Sequence, residues 1–146
     1  MQHYNYEEFF GDVKDIAYKV RDAYKPDVIL AIARGGLTFG HFLAHALDNR
    51  MLYAMNSIHY EDTNKMDTIK IFNIPDLSDA KKVLIVDDIV DSGETIAEIK
   101  KILREKYPTT EFKTAALFYK EKAIVRPDFW AREAKGWIKF LWDFSI

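Results

Sequence analysis

The segment Val83 to Thr95, VLIVDDIVDSGET, limits what this chain can fold into more than any other part of it. An unbroken apolar run is the signature of a strand buried on both faces of a parallel sheet. It ends in two adjacent carboxylates, then a short turn of small and hydroxyl residues, then the start of a helix. Ligands of open α/β sheets bind in the crevice at the carboxyl ends of the strands, where Asp87 and Asp88 fall. Two charges at the end of a buried strand are costly unless they bind something, although the pair alone would also read as a solvated turn. Neighbouring residues on a strand point to opposite faces, so the two acids should have different tasks. The turn Asp91-Ser92-Gly93-Glu94-Thr95 enters a helix whose free N–H groups form a phosphate seat. Paired acids beside such a seat suit a sugar phosphate with a divalent metal.

The rest of the chain repeats the alternation of strand and helix. Phe9, Val13, Ile16, Ala17, Val20 and Tyr24 recur at helical spacing, predicting an amphipathic helix over residues 6–24, stopped near Pro26. Val28 to Ala33 reads as a strand, and Leu37 to about Asn49 as a second helix. Met51 to Ile58 reads as a strand, and the polar stretch His59 to Asp67 as a mobile loop. Thr68 to Ile74 reads as an edge strand and Val83 to Val86 as a central one. A helix through Ile96, Ile99, Leu103 and Tyr107 follows, and Phe112 to Tyr119 closes the strand series. The tail from Lys120 to Ile146 is aromatic-rich and has no regular pattern. The expectation is α/β: a mostly parallel central sheet covered by helices on both faces. With 146 residues, one domain spanning 1–146 is expected.

Composition excludes several function classes. A net charge of −2 gives no basic footprint for nucleic acid. No apolar run approaches the roughly 18 residues of a membrane span, and the acidic, aromatic N-terminus MQHYNYEEFF is unlike a signal peptide. Without cysteine there is no disulfide framework, thiolate zinc site or cysteine nucleophile. A cytoplasmic protein fits. The aromatic share of 14% points to a stacking site, an oligomer interface, or both. His41 and His45 stand at i, i+4, but residue 42 is Phe and no acid lies between them, so they read as helix-surface or interface residues.

The signature, in its order of hydrophobic, acidic, small and hydroxyl positions, resembles the phosphoribosyl-pyrophosphate (PRPP) motif of the type I phosphoribosyltransferases. That resemblance implies PRPP contacts along Asp87, Asp88, Ile89, Val90, Asp91, Ser92, Gly93, Glu94 and Thr95. The two acids would hold the ribose 2′- and 3′-hydroxyls, with Asp88 reaching Mg²⁺, a hard cation suited to carboxylate oxygen. Because Asp91 and Glu94 are negative, the backbone amides and the Ser92 and Thr95 hydroxyls must cradle the phosphate. In similar enzymes the position of Asp91 lies near the purine N7; as plain local structure it would be an N-cap. Ala33-Arg34-Gly35-Gly36 could be only a tight βα turn. It also matches the family's pyrophosphate loop, with Arg34 and Gly35 as contacts and Arg34 a candidate catalytic group beside Asp88 and Asp91. Related enzymes often hold a non-proline cis peptide there.

Farther on, Lys120 ends ALFYK, and the tail GWIKFLWD resembles the WIEQPWD ending of bacterial xanthine-guanine phosphoribosyltransferases, with Leu141 in place of proline. The resemblance implies that Lys120 donates to a purine 6-oxo group, Trp137 stacks on the ring and Ile138 offers backbone groups to the 2-substituent. It implies a small hood formed by the tail, PRPP and a purine base as substrates, and a homodimer or homotetramer. The loop from His59 to Asp67 would close over the site. Two other readings remain open here: a PRPP-sensing regulator without chemistry, and a phosphoribosyltransferase for another base such as orotate or uracil.

Overall fold

A computed structural model describes residues 1–61 and 67–146 of the chain. In chain order the elements are β1 (Gln2–His3), α1 (Tyr6–Ala23), β2 (Val28–Ala33), α2 (Leu37–Ala46), β3 (Leu52–Glu61), β4 (Asp67–Phe72), β5 (Lys82–Val90), α3 (Glu94–Lys106), β6 (Glu111–Tyr119), β7 (Phe129–Glu133) and β8 (Ile138–Lys139). Six strands form one sheet in the order β4-β3-β2-β5-β6-β7, and β1 pairs with β8 in a small second sheet. All neighbours in the large sheet are parallel except β3 and β4.

Helices cover both faces because both faces of the central strands are apolar. On one side α1 and α2 bury Phe9, Ile16, Val20, Phe39 and Leu43 against Ile29, Leu84 and Val86. On the other, α3 buries Ile96, Ile99 and Leu103 against Leu30, Ile85 and Phe112. Helix α1 begins with a capping box: the Glu8 amide donates to the Asn5 side chain at 2.8 Å, and Glu8 accepts from the Asn5 amide.

Three expectations change. Residues His59, Tyr60 and Glu61 extend β3 rather than opening a loop, because β4 returns antiparallel beside them from Asp67. Asp67 opens β4, and residues 62–66 of the expected loop lie outside the described residues. Strand β5 does not end at Val86 but runs to Val90. Its neighbour β6 continues beside it as far as Tyr119, so ladder hydrogen bonds carry the polar residues. On its other edge the pairing with β2 stops at Val86, so the last four residues of β5, the two acids among them, leave an open edge there. Finally, β6 does not close the strand series. The tail supplies β7, parallel to β6, and β8, whose partner is the extreme N-terminus.

The hood is fastened by a buried network. The Tyr4 hydroxyl donates to Asp12, and Arg132 on β7 reaches Asp12 at 2.7 Å and Glu8 at 3.1 Å. The Tyr4 ring packs edge-on against Phe118 and Phe140, and its amide donates to the Lys139 carbonyl. Burial and the hydrogen bond to Asp12 push the Tyr4 phenol well above its ordinary value.

Candidate active site

The two acids at the end of β5 diverge into separate cavities. Asp87 lines one of about 370 Å³ together with Asp91, Ser92, Gly93 and Thr95. Asp88 lines another of about 920 Å³, whose walls include Arg34, Gly35, Thr38, Lys139 and Asp143. Between them the acids use their own backbone: the Asp88 amide donates to Asp87 at 2.8 Å, and the Ile89 amide to Asp88 at 2.7 Å. Burial pushes both carboxyls above the ordinary carboxylate range, and for Asp87 the neighbouring Asp88 charge adds to it. Asp143 raises Asp88 further, which places the tail carboxylate within electrostatic reach of the strand end.

The turn after β5 is shaped by Gly93, the α3 N-cap, at φ 85°. A side chain there would also press on the backbone of Val125, so only glycine fits comfortably. The first intrahelical bond runs from the Ala97 amide to the Gly93 carbonyl, so the amides of Glu94, Thr95 and Ile96, residues that line this cavity, have no intrahelical acceptor. The Glu94 amide turns to Ser92 Oγ at 3.2 Å, fixing the loop. Asp91 does not cap the helix. Its carboxylate pairs instead with Lys120 Nζ at 2.9 Å, and the Lys120 amide donates to the Val90 carbonyl. Two residues expected at neighbouring positions of a bound ring, N7 and the 6-oxo group, therefore meet here.

Across the crevice the Ala33–Arg34 peptide is cis. Gly35 lies so close to the Asp88 carboxylate that a methyl group would collide with it. Arg34 is exposed and forms no ion pair among the described residues.

The remaining base-site candidates are Ile138 on β8 and Trp137 just before it. Trp137 is 74% exposed, while Ile138 is buried. The Gln2 and Tyr4 amides bond to the carbonyls of Trp137 and Lys139, so alternation turns the Ile138 carbonyl away from β1, to an open strand edge. Asp143 and Lys139 were not singled out from the sequence, because the tail looked irregular. The signal that could have found Asp143 was its place at the end of the GWIKFLWD segment. His41 and His45 contact each other on α2, away from both cavities that hold the acids.

The donor set near Asp88 suits a hard divalent cation. Its carboxylate and that of Asp143 border a roomy polar cavity where phosphate oxygens and water could complete the coordination.

A family model described as the phosphoribosyl transferase domain matches residues 2–146. Among solved structures, a xanthine-guanine-hypoxanthine phosphoribosyltransferase from Helicobacter pylori superimposes with a TM-score of 0.90 at 38% identity, covering 97% of this chain and 92% of that one. A purine phosphoribosyltransferase from Pyrococcus horikoshii gives a TM-score of 0.84 at 32% identity, covering 99% and 95%. A xanthine-guanine phosphoribosyltransferase from Idiomarina loihiensis is 28% identical, over 97% of this chain and 86% of its own length.

Proposed function

The chain belongs to the phosphoribosyl transferase family, and from that premise we propose that it is a purine-salvage enzyme converting a 6-oxopurine and PRPP to the nucleoside 5′-monophosphate and pyrophosphate. The observation that carries the base choice is the Lys120–Asp91 pair. A 6-oxopurine with its proton on N7 presents an acceptor, O6, beside a donor, N7–H. An ammonium has only donors and a carboxylate only acceptors, so the pair matches that edge in one orientation.

In this reading the 5′-phosphate rests on the α3 amides around Ser92 to Thr95, where the dipole favours an anion. The acids at the end of β5 hold the ribose hydroxyls. Arg34 and the amides at the start of α2 receive the pyrophosphate as it departs from C1′. With the proton held at N7, the N9 lone pair is free to bond to C1′. Bond formation makes N7–H acidic, and Asp91 is placed to take that proton. Trp137 stacks on the ring, and the open Ile138 backbone meets the 2-substituent. Asp88 and Asp143 would hold Mg²⁺, which when bound supplies positive charge against the developing charge of the leaving group. Holding base and ribosyl carbon in line lowers the barrier by orientation.

No helix among the described residues is long and apolar enough to cross a membrane, and the reading includes a cytoplasmic homodimer or homotetramer. The exposed Tyr6, Phe10 and Leu37 support such an assembly. One assay tests the function: PRPP turnover with Mg²⁺ over guanine, xanthine, hypoxanthine, adenine, uracil and orotate. Turnover of the 6-oxopurines is expected. Turnover of only a pyrimidine would overturn the base assignment. Stabilisation by PRPP with no turnover of any base would make the chain a PRPP-binding regulator.

A further inference from the structure

Around β8 the side chains alternate cleanly. Ile138 and Phe140 are buried, and Trp137 and Lys139 are exposed on the opposite side. Residues two apart in extended chain lie roughly 6.6 Å from each other, so β8 and the residue before it present an aromatic face and a cation side by side. The backbone beneath the lysine is fixed, since the Tyr4 amide donates to the Lys139 carbonyl at 2.9 Å. Lys139 lines the cavity that holds Arg34, Gly35, Asp88 and Asp143. Among the described residues the Lys139 ammonium makes no ion pair, and Arg34 makes none either. A cavity with two uncommitted cations facing two carboxylates is arranged for a metal-bearing polyanion: the carboxylates meet the metal, the cations the anion. At the position of Lys139, the WIEQPWD ending that this tail resembles carries glutamate, a charge of the opposite sign.

We propose that Lys139 is a pyrophosphate-binding residue of this chain, gripping the leaving group from the tail side while Arg34 grips it from the loop side. The inference rests on the reading of this cavity as the seat of the pyrophosphate. It makes β8 a shared wall: Trp137 faces the base, and Lys139 faces the group that the base displaces.

The test is calorimetric titration of inorganic pyrophosphate and, separately, ribose 5-phosphate at fixed Mg²⁺. The proteins are the parent, Lys139→Gln, Lys139→Glu and Arg34→Gln, each first checked by thermal melting. Lys139→Gln should weaken pyrophosphate about threefold to tenfold, the range for an exposed charge-assisted contact, and Lys139→Glu should weaken it more. Ribose 5-phosphate, which lacks the pyrophosphate, should bind all four proteins alike. Pyrophosphate affinity in Lys139→Glu within twofold of the parent, with loss in Arg34→Gln, overturns the inference and leaves the underlying reading standing. Loss in neither variant overturns both. An equal loss of ribose 5-phosphate in the Lys139 variants also overturns the inference, because the lysine would then act through the fold.

Discussion

The turn from Asp87 to Thr95 and the tail from Lys120 to Asp143 face one crevice but are constructed differently. In the turn, consecutive residues supply the carboxylates, the φ 85° glycine and the helix-start amides, and distant residues add only a few braces, the Lys120 and Ile124 amides on the Val90 and Ser92 carbonyls. In the tail, the same kind of precision depends on distant partners. Strand β8 is held by the N-terminal residues, and these in turn by the Tyr4–Asp12–Arg132 network joining α1 to β7. The difference teaches where function and stability compete. The turn concentrates unfavourable charge, since burial raises both acids, and gains from a ligand that relieves it. The tail carries no such buried acid pair, and its proposed base contact, Trp137, is 74% exposed.

The largest effect should come from Asp88→Asn. Turnover is expected to fall at least about a hundredfold, the scale of losing a charge-stabilising group at a reacting centre. Because burial disfavours the ionised carboxylate, the same variant should melt no lower than the parent in the absence of metal and PRPP. Lower turnover together with a clearly lower melting temperature would make Asp88 a structural residue and erase the contrast between the regions.

Ser92→Asp places a second anion in the phosphate seat. At PRPP one hundred times its dissociation constant, the parent should gain about 2.7 kcal/mol of stability. The variant should lose that gain, as read by thermal melting with and without PRPP. A retained shift would move the 5′-phosphate out of the turn.

Lys120→Met acts on the tail side. The value of kcat/KM for hypoxanthine should fall about tenfold to a hundredfold, from losing a hydrogen bond to a charged group. The PRPP-induced thermal shift without base should persist. Loss of that shift would join the two regions into one unit.

The smallest effect expected is that of Tyr4→Phe, which removes one hydroxyl and leaves the ring packing. About 1 kcal/mol of stability should be lost. The KM for base should rise modestly while that for PRPP stays unchanged, as measured by denaturant melts and steady-state kinetics. An equal rise in both KM values would deny that the network serves the hood in particular.

The same contrast explains what could be read from the sequence. VLIVDDIVDSGET was legible because burial, charge and turn chemistry sit in one run, and the structure places its two acids in different cavities, as strand alternation requires. The helices were legible from their periodicity and the central strands from their unbroken apolar runs. The tail was not. Strand β7, FWARE, has no clean alternation, and β8 is two residues long and exists only because Gln2 and His3 pair with it. Asp143 reaches the cavity of Asp88 through that folding, so its place at the end of GWIKFLWD marked the residue but not its neighbours, and Lys139 had no such mark. The antiparallel return of β4 was equally hidden, since edge strands of either direction carry the same pattern.

The proposed division of labour, a turn that holds PRPP and a tail that reads the base, is tested most directly by competition between hypoxanthine and adenine at saturating PRPP and Mg²⁺. Adenine presents donors at its 6-amino group to the Lys120 ammonium, and an unpaired polar contact costs about 1–3 kcal/mol. The account predicts that kcat/KM favours hypoxanthine by roughly tenfold to more than a hundredfold, and that Lys120→Met collapses this ratio toward one. Equal use of the two bases by the parent protein would contradict it.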